Sequence, residues 1–329
     1  MSAVRAGVIG LGMMGRHHVR VLRSHPEVDL VGVHDPLGDP HGAAGDVPLC
    51  STIDALLELG LDAAVVATPT DDHLEVGLRL AEAGVNALVE KPLAADGEQG
   101  RQLVEAFEAA GLVLAVGHIE RFNPAVRSLK ERLAAGELGD LYQVSTSRQG
   151  PFPDRIRDVG VIKDLATHDI DLTAFAAGTP FRTVSARVTH RAGRPHEDLV
   201  AAVGLLEDGT VTSHLVNWLT PMKERRIVVT GEGGCFVADT ITADLTFFAN
   251  SSVRTEWDAI SRFRGVSEGD MVRYAIPKPE PLFAELDGFV SAVQGGGGEI
   301  VSGREGLVVL SVAEAMIRSA AAATVETMP

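Results

Sequence analysis

The chain has 329 residues, 45% of them apolar, and its 45 acidic side chains outnumber 29 basic ones to give a net charge of −16. This charge disfavours a surface for nucleic acid or an anionic membrane, and two cysteines are too few for a disulfide framework. No uninterrupted apolar run approaches the roughly 20 residues that span a bilayer, so we expect a cytoplasmic protein, and its length favours two domains.

A glycine-rich turn joins the first apolar run to a helical pattern near the start of the chain. The run from Ala6 to Ile9 leads into Gly10-Leu11-Gly12-Met13-Met14-Gly15. Gly10 permits a tight turn, Gly12 lets the main chain approach a phosphate, and Gly15 lets the helix pack against the strand. Strand, turn and helix together predict a dinucleotide whose pyrophosphate lies at the helix N-terminus. The predicted contacts of this turn are Gly10, Gly12, Met13, Met14 and Gly15.

A carboxylate follows at the spacing that this pattern requires. Asp35 ends the second apolar run, about 20 residues after Gly15. It is placed to bind ribose hydroxyls and would repel a 2′-phosphate, so the sequence predicts NAD as the cofactor. His17 and His18 lie on the intervening helix and are interpreted as ordinary helix residues.

Strand-like runs alternate with helical patterns through residues 1–118. This alternation predicts an α/β fold, a Rossmann doubly wound parallel sheet with helical crossovers. Ligands of such sheets bind beyond the carboxyl ends of the strands. The candidate site residues in the segments that follow the predicted strands are Thr68, Pro69, His73, Glu90, Lys91, His118 and Arg121.

The pattern changes over residues 119–329, which we predict to be a second, substrate-binding domain. A helix from Ala125, a strand from Leu141 to Ser147 and a polar loop from Arg148 to Val161 come first. A helix from Lys163 to Ala177 precedes several strand signals with short turns, which favour a largely antiparallel sheet.

These motifs are similar to those of the Gfo/Idh/MocA family of NAD(P)-dependent oxidoreductases. The resemblance covers essentially the whole chain. Its motifs are the glycine turn, Ala67-Thr68-Pro69 with His73, Glu90-Lys91-Pro92, Arg121-Phe122-Asn123-Pro124 and Asp164-Leu165-Ala166-Thr167-His168. The resemblance implies an α+β second domain with an open, mostly antiparallel sheet, whose free face serves in a homodimer or homotetramer.

The resemblance also implies a catalytic group of Lys91, Asp164 and His168. Asp164 and His168 are four residues apart, which places them on one helix face together with Asp171 and Phe175. We predict that His168, with an ordinary pKa of about 6.5, is the general base and that charged Lys91 hydrogen-bonds the reacting oxygen. The reverse assignment stays open, and Asp164 either orients the imidazole or binds a sugar hydroxyl. We expect no metal, because Lys91 supplies the positive charge.

Further contacts follow from the same alignment of motifs. Thr68, Pro69 and His73 are expected to border the nicotinamide ribose and the pyrophosphate, and Glu90 the nicotinamide ribose. The Lys91–Pro92 bond is expected to be cis. His118 and Arg121 are candidate substrate contacts, with a structural ion pair as the alternative for Arg121.

Finer features resemble the branch of the family that oxidises nucleotide-linked amino sugars. Arg155 and Arg157, in a proline-containing loop, suit the phosphates of a UDP-sugar, although arginines paired with surface acids are the alternative. We therefore expect NAD-dependent oxidation of a sugar hydroxyl, at C3 of UDP-N-acetylglucosamine or a related UDP-sugar. The alternatives are an inositol or free-sugar dehydrogenase, or a catalytically silent NAD-binding sensor or regulatory subunit.

Overall fold

The computed structural model describes residues 3–153, 159–251 and 268–328. The chain divides into two compact units, which we call the first unit (Met1–Ile119 with Pro279–Ser311) and the second unit (Glu120–Lys278 with Val312–Pro329). Over the described ranges, no helix is long and apolar enough to cross a membrane. In chain order the strands and helices are β1 (Val4–Ile9), α1 (Met13–Ser24), β2 (Val28–His34), β3 (Leu49–Cys50), α2 (Ile53–Leu57), β4 (Ala63–Val66), α3 (His73–Glu82), β5 (Asn86–Glu90), α4 (Gly97–Ala110), β6 (Leu114–Gly117), α5 (Pro124–Ala134), β7 (Leu141–Pro151), α6 (Thr167–Ala177), β8 (Phe181–Thr189), β9 (Leu199–Leu206), β10 (Val211–Asn217), β11 (Leu219–Gly231), β12 (Gly234–Asp239), β13 (Asp244–Asn250), β14 (Glu268–Arg273), α7 (Pro281–Val293), α8 (Gly303–Ala322) and β15 (Glu326–Thr327).

The first unit contains a parallel sheet with the strand order β3-β2-β1-β4-β5-β6. All five neighbouring pairs are parallel, and β4 is buried along its whole length, as expected for a strand covered on both faces. This is the strand order of dinucleotide-binding folds, and the predicted Rossmann sheet is confirmed.

Local sequence signals set the limits of helix α4. The Asp96 side chain accepts a hydrogen bond from the Gln99 main chain and caps the helix N-terminus. Gly111, with φ of 67°, ends it in the left-handed conformation. Both are common helix boundaries, so local signals in the sequence mark where this helix begins and ends.

Helix α7 belongs to the first unit, although it follows most of the second unit in the chain. Leu282, Leu286 and Phe289 of this helix share one apolar core with Val8 and Val33 of the parallel sheet. The boundaries of the two compact units therefore differ from the single boundary expected after residue 118. Residues from the C-terminal quarter of the chain complete the core of the first unit.

The second unit contains a sheet with the order β14-β13-β12-β11-β7-β10-β9-β8-β15. Its strands pair antiparallel except for the parallel pair β7 and β10. Leu129 of α5 and Leu172 of α6 pack against Val144 and Phe236 of the sheet in a core of its own. The predicted open, mostly antiparallel sheet is confirmed.

Strand β7 is longer than predicted, and the predicted polar loop from Arg148 is wrong over its first residues. The strand continues to Pro151 because it has partners on both sides. Arg148 and Gln149 are paired with Val216 and Asn217 of β10 and also with β11. The short strands β3 and β15, and strand β14, were not predicted.

Candidate active site

The glycine turn of the first unit fits closely against its surroundings. Gly10 has a φ of 94°, and a Cβ atom on it would lie 2.5 Å from the main-chain oxygen of Ala67. A Cβ atom on Gly15 would lie 1.9 Å from the main-chain oxygen of Gly10. Both glycines are therefore required by the packing of the chain itself, because any side chain would displace main-chain atoms.

Gly12 is different, because no atom lies within 4 Å of the place where its Cβ would be. It is the N-cap residue of α1, whose first turn has no side-chain cap and no acidic residue. Met13 is 46% exposed at the same end. In the described part of the chain, the buried Thr68 Oγ1 has no hydrogen-bond partner. An open backbone, uncapped N–H groups and an unused hydroxyl fit the phosphates and ribose of NAD.

Asp35 links the end of β2 to the glycine turn. Its Oδ2 accepts the Leu11 main-chain N–H at 2.7 Å, and its Oδ1 accepts the Leu37 N–H at 2.8 Å. Each carboxylate oxygen has room for a further hydrogen bond. The predicted contact between Asp35 and ribose hydroxyls is therefore compatible with this geometry.

His73 joins the loops that follow β4 and β5. It begins α3 and is 1% exposed, with Nδ1 3.0 Å from the Pro92 oxygen and Nε2 3.1 Å from the Thr68 oxygen. Burial lowers the pKa of His73. Both ring nitrogens lie within hydrogen-bond distance of main-chain oxygens, so His73 connects the loops after β4 and β5. Its expected place beside the nicotinamide ribose and the pyrophosphate stays a prediction.

Glu90 is also held within the chain. Its Oε1 lies 2.8 Å from Nε2 of His18, and its Oε2 accepts the Lys91 main-chain N–H at 3.2 Å. The expected contact of Glu90 with the nicotinamide ribose stays a prediction, and His18, interpreted as an ordinary helix residue, has a buried side-chain partner at the end of β5. His18 lies on the buried stripe of α1 with Gly15 and Val19, and a polar residue on such a stripe was the signal that could have revealed the pair.

Lys91 and His118 follow neighbouring strands of the first unit. Lys91 comes directly after β5 and is half-buried, and its bond to Pro92 is cis, as predicted. His118 comes directly after β6 and is 1% exposed. Because β5 and β6 are paired at Glu90 and Gly117, both side chains leave the same edge of the sheet.

Asp164 and His168 lie on one helical segment of the second unit. The segment begins with a π-helical turn, Ile162–Ala166, and continues as α6. Asp164 is buried and His168 half-buried. Single π-helical turns are frequent at functional sites, and this one was not predicted.

Glu197, from the connection between β8 and β9, fixes the start of that segment. Its main-chain oxygen accepts the Val161 N–H at 3.0 Å, and its Oε1 accepts the Ile162 N–H at 3.0 Å. A Cβ atom on Gly160 would lie 2.1 Å from this carboxyl group. The glycine and the glutamate together determine where the helix with Asp164 begins.

Arg121 forms a structural ion pair, the second of the two roles considered for it. Its Nη2 donates to Asp171 Oδ1 at 2.6 Å and its Nε to the same oxygen at 2.9 Å. The guanidinium also lies over the Phe175 ring, 5.1 Å from the centroid. Asp171 and Phe175, predicted to extend the catalytic face of the helix, instead hold Arg121, which is 9% exposed.

Arg148 is a second buried cation of this unit. Its Nη1 donates to Glu120 Oε1 at 2.7 Å and its Nε to Asp169 Oδ1 at 2.9 Å. Burial raises the pKa of Asp169, whereas at Glu120 the charge and hydrogen bond of Arg148 outweigh burial and lower the pKa. Arg155 and Arg157, the predicted phosphate ligands, lie outside the described residues.

The residues around Asn217 hold the turn between β10 and β11. Asn217 Nδ2 donates to Gln149 Oε1 at 2.8 Å, and its Oδ1 accepts the N–H groups of Leu219 and Thr220 at 2.9 and 3.0 Å. All of its polar atoms are used within the chain. Asn217 therefore fixes the turn between β10 and β11.

A cation–aromatic cluster, formed by Arg194, Phe152 and Trp218, was missed by sequence reasoning. The guanidinium of Arg194 lies 4.1 Å from the Phe152 ring centroid and 5.1 Å from that of Trp218. The two rings pack edge to face at 5.3 Å. Nothing in the sequence pairs these three positions.

Over residues 3–153, 159–251 and 268–328, no group of three or more His, Cys, Asp or Glu is placed to hold a metal ion.

Comparison with known proteins matches both units. Residues 4–118 match the family described as "Oxidoreductase family, NAD-binding Rossmann fold". Residues 126–237 match the "GFO/IDH/MocA C-terminal domain". The second match begins two residues after the start of α5 and ends within β12, so it covers the Asp164 and His168 segment.

Three relatives align over most of their length. A UDP-N-acetylglucosamine 3-dehydrogenase of Acidithiobacillus ferrooxidans is 30% identical over 300 residues, covering 89% of this chain and 90% of the relative. Its structure superposes with a TM-score of 0.84, covering 98% and 99% of the two chains. An inositol 2-dehydrogenase of Rhizobium meliloti is 26% identical over 331 residues, 97% of each chain.

The third relative is the WlbA dehydrogenase of Bordetella pertussis, solved with NADH and UDP-GlcNAcA. It is 26% identical, with a TM-score of 0.80 and 99% of each chain covered. The sequence matches, the superposed folds and the glycine turn all indicate the same family. The chain is an NAD-binding oxidoreductase and belongs to the Gfo/Idh/MocA family.

Proposed function

We propose that this protein oxidises a secondary hydroxyl of a sugar to a ketone with NAD, at C3 of UDP-N-acetylglucosamine or a closely related UDP-sugar. One observation carries the proposal: the 30% identity to a UDP-N-acetylglucosamine 3-dehydrogenase extends over 89% of the chain and therefore through both units. The WlbA structure, which contains a UDP-sugar, supports the same substrate class.

The proposed chemistry assigns one task to each polar group. When bound, the nicotinamide ring takes the hydride from the carbinol carbon. His168 accepts the hydroxyl proton as general base, and the Lys91 ammonium donates a hydrogen bond to the oxygen as its negative charge grows. Asp164 orients the imidazole or binds a neighbouring hydroxyl. The exchanged assignment, with Lys91 as base, is the alternative that a pH profile of the variants separates.

The proposed binding residues divide between cofactor and substrate. For the cofactor we retain Gly10, Gly12, Met13, Met14, Gly15, Asp35, Thr68, Pro69, His73 and Glu90. For the substrate we retain Lys91, His118, Asp164 and His168, with Arg155 and Arg157 as phosphate ligands. The ion pair of Arg121 with Asp171 favours a supporting role for that arginine.

Inositol is the second candidate substrate. The inositol 2-dehydrogenase of Rhizobium meliloti covers more of the chain, 97%, at the lower identity of 26%. A cyclitol offers the same secondary alcohol to a base and an ammonium, but it needs no phosphate ligands. The arginines at 155 and 157 are the sequence feature that distinguishes the two substrates.

We further propose a homodimer or homotetramer formed through the sheet of the second unit. Val211 and Leu215 of β10 and Val203 of β9 occupy one face of that sheet, by the pairing of Ser213 with Val203. These three apolar side chains are 46%, 40% and 57% exposed. Light scattering after size-exclusion chromatography tests this, and Leu215→Glu is expected to shift the mass toward the monomer.

The decisive experiment mixes purified protein and NAD with UDP-N-acetylglucosamine, free N-acetylglucosamine or myo-inositol and follows NADH absorbance. Reduction with the UDP-sugar alone supports the proposal, and reduction with inositol or the free sugar selects the alternative. If calorimetry shows NAD binding while none of the panel is oxidised, the proposed substrates are wrong, and the sensor or regulatory alternative is then tested against a wider panel of sugars. A parallel series with NADP tests the role of Asp35.

A further inference from the structure

The buried histidine of α1 is placed to control the strand end that carries Lys91. His18 is fully buried, on the stripe of α1 that also contains Gly15, Val19 and Leu22. Its Nε2 lies 2.8 Å from Glu90 Oε1. The two residues are 72 positions apart in the chain, so this contact fastens α1 to the carboxyl end of β5.

The ionisation state of Glu90 determines which of the two groups donates this hydrogen bond. Burial alone would raise the pKa of Glu90, but its contacts with His18 and Lys91 outweigh burial and lower the pKa. The carboxyl group is therefore ionised and only accepts hydrogen bonds. His18 must present Nε2–H to it, because a buried carboxylate without a donor is costly.

The other carboxylate oxygen acts on Lys91. Glu90 Oε2 accepts the Lys91 main-chain N–H at 3.2 Å. The space for this arrangement comes from Gly117 of the neighbouring strand, where a Cβ atom would lie 3.0 Å from the same oxygen. The rotamer of Glu90 and the direction in which the chain leaves β5 at Lys91 are thus fixed together.

Helix α1 is itself rigidly placed. A Cβ atom on Gly15 would lie 1.9 Å from the Gly10 oxygen, so the helix and the glycine turn are in direct contact. The same helix therefore offers its N-terminus to the cofactor phosphates and, three residues after Gly15, its His18 to Glu90.

We propose that His18 is a positioning residue for Lys91, acting through Glu90. Its Nε2–H holds the Glu90 carboxylate, which holds the Lys91 main chain, so the lysine is placed relative to the helix that receives the cofactor. The inference rests on the proposed function only where it concerns turnover. Its structural part stands on the contacts within the first unit.

The test compares His18→Leu, His18→Asn and His18→Gln with the wild-type enzyme. Only Gln carries an amide nitrogen near the Nε2 position. We expect Leu and Asn to lower kcat by about 10- to 100-fold, because small displacements of a reacting group have effects of this size. The Kd for NAD should stay near the wild-type value, and Gln should restore most of kcat. Exposed His17, changed to Leu and to Gln, is the matched control on the same helix.

A second measurement needs no substrate. Pulse acetylation, read by mass spectrometry, compares the labelling rate of Lys91 with that of exposed Lys223. His18→Leu and His18→Asn should change this ratio severalfold, and His18→Gln should not. If the wild type oxidises no sugar in the panel, the proposed function fails while the labelling ratio still decides the role of His18.

Two results would overturn the proposal. One is wild-type kcat and wild-type labelling in His18→Asn, which removes the donor and keeps a polar side chain. The other is a parallel loss of NAD binding and kcat in all three variants, which would mean that His18 only supports the fold. If His18→Leu does not fold, the comparison of Asn with Gln gives the answer alone.

Discussion

The two units build their polar sites in different ways. In the first unit main-chain contacts dominate: Gly10 and Gly15 permit close approach of the main chain, and both ring nitrogens of His73 lie within 3.1 Å of carbonyl oxygens. In the second unit the neighbourhood of α6 depends on buried ion pairs, with Arg121 on Asp171 and Arg148 between Glu120 and Asp169. The glycine turn of the first unit is shaped mainly by backbone geometry, and the neighbourhood of α6 in the second unit by paired side chains.

This difference changes what a substitution does. A site formed by main-chain atoms tolerates the loss of one side chain. It does not tolerate an added Cβ atom where neighbouring main-chain atoms are closely packed. A buried ion pair tolerates little, because removal of one partner leaves an uncompensated charge. Functional residues should therefore separate from structural ones when catalysis and stability are measured on the same variants.

The largest effect is expected for Lys91→Ala and for His168→Ala, one variant in each unit. Each removes a group proposed to touch the reacting alcohol, so kcat should fall about 10³- to 10⁴-fold, roughly 4 to 5.5 kcal/mol of barrier. Calorimetry should give an unchanged Kd for NAD, and Tm should be near that of the wild type. Near wild-type turnover in either variant would remove that residue from the mechanism.

Arg148→Leu should have the next largest effect, and it acts on stability. The variant leaves Glu120 and Asp169 buried without their cation, which is expected to cost about 3 to 5 kcal/mol of unfolding free energy. Urea unfolding measures it, with the additional change Asp169→Asn expected to restore part of the loss. Arg226→Ala, which removes an exposed pair with Glu224 at 3.8 Å, is the control and should cost about 1 kcal/mol or less. Equal losses in both variants would contradict the proposed contrast.

Most of the first unit could be predicted from its sequence because its signals are local. A strand that is buried along its length, a capped helix such as α4 and glycines at fixed spacing each depend on a few neighbouring residues. Helix α7 could not be assigned in this way. Its Leu282 and Phe289 look like any amphipathic helix, and only the tertiary fold shows that they complete the core of the first unit.

The sequence indicates which residues are candidates for the site, but it does not indicate the side chains with which buried residues pair. Lys91, Asp164 and His168 are recognisable from motifs. The sequence did not indicate the ion pairs of Arg121, a candidate ligand, or of Arg148, the expected start of a polar loop, because their carboxylates lie 50 and 21 residues away in the chain. His18 was overlooked for the same reason. The partner of a buried charge is set by the tertiary fold, and the distance in space between the two side chains cannot be read from a single sequence.

A smaller, pH-dependent effect is expected at His214, a buried polar residue of the second unit. Its Nδ1 lies 2.8 Å from Thr146 Oγ1, and burial lowers its pKa from 6.5 to about 4. The unfolded chain then binds the proton more readily, so the stability from His214 is complete above about pH 6.5 and is lost as the pH falls toward 4. The contribution is about 3 kcal/mol across this window.

The measurement is urea unfolding of wild type and His214→Asn at pH 7.5 and at pH 4.5. Asn keeps an acceptor near the Nδ1 position and does not titrate. The stability difference between the two proteins should therefore move by about 2 to 3 kcal/mol in favour of the variant at the lower pH. A constant difference at both pH values would show that His214 is not held neutral by burial.

The smallest change in stability is expected at Gly12. This variant tests separately whether the main chain of the glycine turn binds the cofactor. With no atom within 4 Å of its Cβ position, Gly12→Ala should lower the unfolding free energy by no more than about 1 kcal/mol, the usual cost of alanine at a helix N-cap. If the dinucleotide passes over this residue, the same methyl group meets the phosphates, and the Kd for NAD should rise about 10-fold or more. Gly15→Ala, with its Cβ 1.9 Å from a main-chain oxygen, should instead lose stability before any ligand is added. Calorimetry with NAD and thermal unfolding without it separate the two glycines, and unchanged NAD affinity in Gly12→Ala would place the cofactor elsewhere on the unit.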